Sequence, residues 1–194
     1  MSEENSNFPS AEEIQTEMRR VRYRFRFGQI LRSTLSTVLV VAALAILAAS
    51  IFLPVLRVTG TSMQPSFESG DILVAWRNTE FEPGDVCCFY YNNKMIIKRV
   101  IARGGDIVEI DDEGRVYVNN MMLEEPYVRN YAYGICDLMF PFEVPLDTVF
   151  VMGDNRSDSV DSRSQQFGCI PTTDILGKIF LRVWPASSFY YYGF

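Results

Sequence analysis

Twenty-three consecutive residues without a charge, Thr34 to Leu56 (TLSTVLVVAALAILAASIFLPVL), constrain this chain more than any other feature. As a helix they would span about 34 Å, enough for the hydrocarbon core of a bilayer. Pro54 near the far end predicts a stop or a kink. Arg19, Arg20, Arg22, Arg24, Arg26 and Arg32 precede the run, and only Arg57 follows closely. That asymmetry predicts a cytoplasmic amino terminus and an exported remainder at the cell (plasma) membrane. A buried core helix and a cleavable leader are the competing readings, the leader because Ala48-Ala49-Ser50 is a small-residue site. The run is longer than the apolar part of such leaders, roughly 7–15 residues, and it starts only at residue 34, so an uncleaved anchor is the expectation. Three parts follow: a basic arm (1–33), a transmembrane anchor (34–56) and an extracytoplasmic domain (57–194).

Residues 1–17 are polar and acidic and read as a frayed tail. A short helix from Ala11 to Met18 is predicted within the arm, with Ser10 and Glu13 as a capping box. The arginines alternate with Val21, Tyr23, Phe25 and Phe27, a pattern that can stack on nucleobases. Their position against the apolar run and the formal net charge of −6 argue against nucleic acid as a partner.

Beyond residue 57 the texture becomes short β-like runs separated by turns. Strands are predicted at 71–76, 86–91, 94–102, 107–110, 115–118, 148–152 and 175–184, punctuated by Glu82-Pro83-Gly84-Asp85, Asn92-Asn93, Gly104-Gly105-Asp106 and Asn119-Asn120. Turns every 8–12 residues predict a mainly β, antiparallel and partly closed domain. Residues 121–148, with Pro141, Pro145 and many aromatics, read as a less regular excursion. The aromatic tail Phe189–Phe194 suits either a membrane interface or core packing.

The chain has no histidine, which excludes a Ser-His-Asp triad and any histidine-ligated metal. Cys87, Cys88, Cys136 and Cys169 lack the spacing of a structural zinc site. Their pairing stays open, and adjacent Cys87 and Cys88 in a strand point to opposite faces. Ser62 sits in the turn Val58-Thr59-Gly60-Thr61-Ser62-Met63-Gln64-Pro65-Ser66, where a bland hydroxyl is the ordinary occupant. As a nucleophile it would need a lysine base. Lys98, among Ile96, Ile97, Val100 and Ile101, is the candidate for desolvation, although alternation would put a strand lysine on a polar face. By residue type Lys94 and Lys178 are equally eligible. The loop Gly153-Asp154-Asn155-Arg156-Ser157-Asp158-Ser159-Val160-Asp161-Ser162-Arg163 is either a solvated loop or an ordered network in which Asp161 pairs with Arg163.

Taken together, SMQPS at 62–66, KRVIA at 98–102 and GDNRSDSVDSR at 153–163 resemble the characteristic boxes of bacterial type I signal peptidases, in the Gram-positive-like short form. The resemblance covers roughly residues 30–185 and implies a β domain of signal-peptidase type behind a single anchor. It implies Ser62 as nucleophile, Lys98 as general base and Ser159 as the serine orienting the amine. Asp161 and Arg163 match the bracing pair, and Asp154, Asn155 and Arg156 the loop scaffold. Met63 matches the residue packed beside the nucleophile, and Pro65 the turn that aims it. Gly60 stands where some members carry a second oxyanion donor, Ser66 replaces a usual threonine, and Gly104-Gly105-Asp106 lacks a usual proline. The implied partners are exported preproteins cut after small residues (an A-x-A-like site), the lipid bilayer and the secretion translocon. No cofactor or metal is implied. A specialised peptidase with a restricted exported or pilus-like substrate set, an inactive membrane-anchored binding module, and a cytoplasmic self-cleaving repressor are the rival readings. Intact Ser62, Lys98, Ser159, Asp161 and Arg163 disfavour the second; the short arm leaves little room for the DNA-binding domain the third requires.

Overall fold

The computed structural model describes residues 11–77 and 80–191, and the chain divides into two units at Ala49/Ser50. The first is built from one helix, α1 (Ala11–Phe52), 42 residues long. It is the one helix among the described residues long and apolar enough to cross a membrane. Its bounds differ from the sequence reading at both ends. The arginine stretch is itself helical and continuous with the apolar run, as Arg, Glu, Gln and Met favour. At the other end the helix stops at Phe52, before Pro54, and Val55–Arg57 forms strand β1 instead of anchor. Proline disfavours helical geometry in the residue before it, which accounts for the early stop. Ser10, the expected cap, lies outside the described residues.

The second unit is antiparallel β. After β1 come β2 (Ile72–Trp76), β3 (Val86–Tyr91), β4 (Lys94–Arg103), β5 (Ile107–Ile110), β6 (Val116–Val118), β7 (Met121–Met122), β8 (Phe142–Glu143), β9 (Thr148–Met152), β10 (Ile170–Pro171), β11 (Ile175–Trp184) and β12 (Tyr190–Tyr191). The larger sheet runs β1-β2-β11-β3-β4-β9-β10, with β12 also on β11; the smaller runs β7-β6-β5-β8. Tight asparagine turns join β3 to β4 and β6 to β7, where Asn92, Asn93, Asn119 and Asn120 all take positive φ. Asparagine tolerates that backbone better than most residues with a Cβ.

β4 organises the larger sheet because it is paired along both edges, to β3 and to β9. Ile97 through Ala102 are all buried, so neither face of this stretch is a polar one. Cys88 and Ile97 belong to one apolar cluster with Met63, Phe67 and Leu73, whereas Cys87, Phe89 and Val100 belong to another with Phe81 and Val151. The two adjacent cysteines therefore do point to opposite faces. Burying a phenylalanine or leucine such as Phe67, Leu73 or Phe89 contributes about 1.5–3 kcal/mol. All four cysteines are free thiols. Burial pushes the Cys88 thiol up to about 12, and it donates weakly to the Gly177 carbonyl. In the tail, Phe189, Tyr190 and Tyr191 are exposed, which removes core packing for these three; Tyr192 to Phe194 lie outside the described residues.

Candidate active site

Ser62 lies between β1 and β2, in a chain segment pinned on both sides. Upstream, Val58 N–H donates to the Asp71 carbonyl at 2.8 Å; downstream, Phe67 N–H donates to the Met63 carbonyl at 2.9 Å. Met63 is buried in the core beside Phe67 and Leu73, which anchors the residue after the serine. Gly60 sits at φ +91°, a conformation that residues with a Cβ rarely adopt, so the turn itself disfavours a side-chain hydroxyl at that position. Ser62 and Lys98 line the same cavity, of about 620 Å³, together with Val58, Met63, Met95 and Ile97. Geometry separates the other two eligible lysines from Lys98: Lys94 lines the same cavity but is exposed, and Lys178 pairs with Asp85 at 2.7 Å.

Lys98 is only 3% exposed. By alternation it shares the face of β4 that carries Ile96 and Val100, and it stands opposite Cys87 in register. Its Nζ donates to Ser159 Oγ at 2.6 Å. Burial is the main force lowering its pKa. Asp161 opposes that change by favouring the ammonium, and Arg163 supports it. The ion pair explains the balance: Arg163 grips Asp161 through Nε at 2.8 Å and Nη2 at 2.9 Å, both side chains being fully buried. Burial alone would raise the Asp161 pKa, but the Arg163 bonds and charge outweigh it and hold the carboxyl below its usual range. A carboxylate already committed to a guanidinium is a weaker trap for a proton on Lys98.

The 153–163 loop is an ordered network, buried at Gly153, Asp154, Arg156, Ser159 and 161–163 and exposed at Ser157, Asp158 and Val160. Asn155 N–H donates to the Ser62 carbonyl at 3.0 Å, and its Nδ2 donates to the Thr61 carbonyl at 3.2 Å. Thr61 Oγ1 also donates to Asp158. Gly153 N–H donates to Asp161 Oδ2 at 3.0 Å. A Cβ on Gly153 would lie 2.3 Å from Ser159 Oγ and 2.5 Å from the Ser62 carbonyl oxygen, so only glycine lets these two segments meet. Arg156 donates through Nε to the Gly153 carbonyl at 3.0 Å and pairs with Glu125 through both terminal nitrogens. Asp154 accepts from Arg99 Nε at 2.8 Å and Nη2 at 2.6 Å.

Every residue expected at the site from the sequence therefore falls on this one network or cavity: Ser62, Met63, Lys98, Asp154, Asn155, Arg156, Ser159, Asp161 and Arg163. Four contributors escape the sequence reading: Arg99, Glu125, Tyr127 and Gly153. Tyr127 lies 3.9 Å beneath the Arg99 guanidinium and donates to Glu125 at 3.2 Å. The only local signal for Arg99 is its place after Lys98; for Glu125 and Tyr127 there is none.

A family model described as "Signal peptidase, peptidase S26" matches residues 31–184. The chain belongs to that family. Relatives include signal peptidase I of Bacillus caldolyticus, 35% identical over 68% of this chain and 80% of that one. Probable signal peptidase I-2 of Synechocystis is 34% identical over 66% of this chain and 62% of its own length. Thylakoidal processing peptidase 1 of Arabidopsis thaliana is 34% identical over 67% of this chain and 42% of its own. The match thus spans less than two thirds of the latter two relatives. A crystal structure of a signal peptidase I from Enterococcus faecalis V583 aligns with a TM-score of 0.44 and 28% identity, over 51% of this chain and 96% of that one. In this member of the signal peptidase family the three sequence boxes converge on the Ser62 cavity and the hydrogen-bond network beside it.

Proposed function

We propose that the protein is a membrane-bound serine endopeptidase that removes amino-terminal signal peptides from exported preproteins, with Ser62 as nucleophile and Lys98 as general base. The observation that carries this reading is the buried Lys98 amine, oriented by Ser159, in the cavity that Ser62 lines. A neutral amine that donates to Ser159 keeps its lone pair for the Ser62 hydroxyl proton. Ser62 Oγ then bonds to the scissile carbonyl carbon as Lys98 takes that proton. Lys98 returns it to the leaving amine as the peptide C–N bond breaks, leaving an acyl-enzyme. Water, deprotonated by the same amine, releases the signal peptide's new carboxylate. The Ser62 backbone N–H is the oxyanion donor in this scheme. Met63, Val58 and Ile97 favour small residues at −1 and −3, the A-x-A pattern.

The anchor, positive-inside asymmetry and family together support an N-terminus in the cytoplasm, a catalytic unit outside the plasma membrane, and preproteins as substrates; the translocon is the natural source of those preproteins. The test is cleavage of a preprotein carrying an A-x-A site by full-length protein in detergent. Wild type is expected to release a fragment whose new amino terminus follows the small residue, and Ser62→Ala to release none. Cleavage by Ser62→Ala at the wild-type rate would overturn the assignment.

A further inference from the structure

We propose that a second, smaller cavity beside the Ser62 turn is a subsite for an acidic side chain on the mature side of the cleavage site, with Arg129 as its charge contact. The inference rests on the peptidase reading above and concerns the half of the substrate that the large cavity does not hold. This cavity, about 170 Å³, is lined by Gln64, Pro65, Arg129, Asn130, Asp154 and Asn155. The chain passes from one cavity to the other through Ser62: residues up to Met63 line the large one, and Gln64 and Pro65 line the small one. With the −1 and −3 side chains in the large cavity, residues after the scissile bond leave toward the small one. Asn155 fixes the junction, since it lines the small cavity while donating to the Ser62 and Thr61 carbonyls.

Its chemistry is that of a carboxylate receptor. Gln64, Asn130 and Asn155 bring side-chain amides, and Arg129 brings a guanidinium whose planar donors suit a carboxylate. Arg129 is exposed, and among the described residues it makes no ion pair. The one acid in the lining, Asp154, is 1% exposed and already held by two bonds from Arg99. It therefore neither occupies Arg129 nor presents a free charge to repel an incoming acid. In a chain of formal net charge −6, an exposed arginine at the edge of the Ser62 turn is a selective feature for an acidic substrate.

The experiment compares kcat/KM for A-x-A peptides that carry Glu, Gln or Lys singly at +1, +2 or +3, using the full-length protein in detergent. At one of these positions wild type is expected to prefer Glu over Gln by about threefold, the size of one exposed charge pair. The preference should shrink at high ionic strength. In Arg129→Gln the Glu-to-Gln ratio should fall to about 1, and in Arg129→Glu the preference should turn toward Lys. Using ratios within one enzyme removes any difference in folded fraction. Equal rates for all three residues in wild type, or a Glu preference surviving in Arg129→Gln, would overturn the subsite and leave the peptidase reading standing. No cleavage of any peptide by folded wild type would overturn both.

Discussion

Lys98 carries a burden at the scale of a single residue. Its lowered pKa means that, between that value and about 10.5, the unfolded chain binds a proton that the folded chain does not. Stability therefore rises with pH through that window, and the full cost of burying Lys98 is felt below it. Replacing Lys98 with Met keeps the length of the side chain and removes the amine. Lys98→Met is expected to abolish activity yet raise the melting temperature at pH 6 by roughly 2–5 °C, about 1 kcal/mol, with the gain shrinking toward pH 10. Thermal melts of both proteins across that range check it; a lower melting temperature for the variant at pH 6 would contradict the burial argument. Alternation alone predicts an exposed lysine here. That prediction fails because β4 is flanked by β3 and β9 and covered on both faces, a property of the sheet that no local window contains.

At the scale of elements, the strands are the most legible part. β2, β3, β4, β5, β9 and β11 lie where alternation and turn residues put them, to within a residue. β1 is not legible, because a short apolar run reads equally as the last turn of a helix and as a strand. The stretch 121–148 holds only the two-residue strands β7 and β8 before β9 begins at Thr148. Its prolines and aromatics read as a loose excursion, yet it supplies buried Glu125 to Arg156 and the Ala132 and Tyr133 carbonyls to Arg163. Glu125 stands beside exposed Glu124, and nothing in the sequence separates the two. Removing one partner of a fully buried pair strands the other charge. Glu125→Ala should therefore lower unfolding free energy by about 3–5 kcal/mol, measured as the urea midpoint, whereas Glu124→Ala should change it by less than about 0.5 kcal/mol. Equal small effects for both would remove Glu125 from the network.

The whole molecule has an apolar helix near its amino terminus and an antiparallel β unit that carries the Ser62 cavity. Six arginines at positions 19–32, against Arg57 alone in residues 57–76, supply the argument for sidedness. Protease added to intact spheroplasts should degrade the 50–194 unit and spare an amino-terminal tag; the reverse pattern would overturn the orientation. The family resemblance joins three distant boxes into one site, and the structure brings those boxes onto one cavity and one hydrogen-bond network. Arg99 and Gly153 lie inside those boxes without an assigned role, and Glu125 and Tyr127 lie outside them altogether.

The central claim is that a neutral, buried Lys98 deprotonates Ser62, and the pH dependence of kcat/KM on an A-x-A peptide free of ionisable side chains tests it most directly. Because the base works only when unprotonated, the rate must rise with pH through the Lys98 pKa. Burial lowers that value, so the midpoint of the expected profile lies below pH 10.5. A rate still climbing through about pH 10–10.5, as for an ordinary solvated lysine, would contradict it.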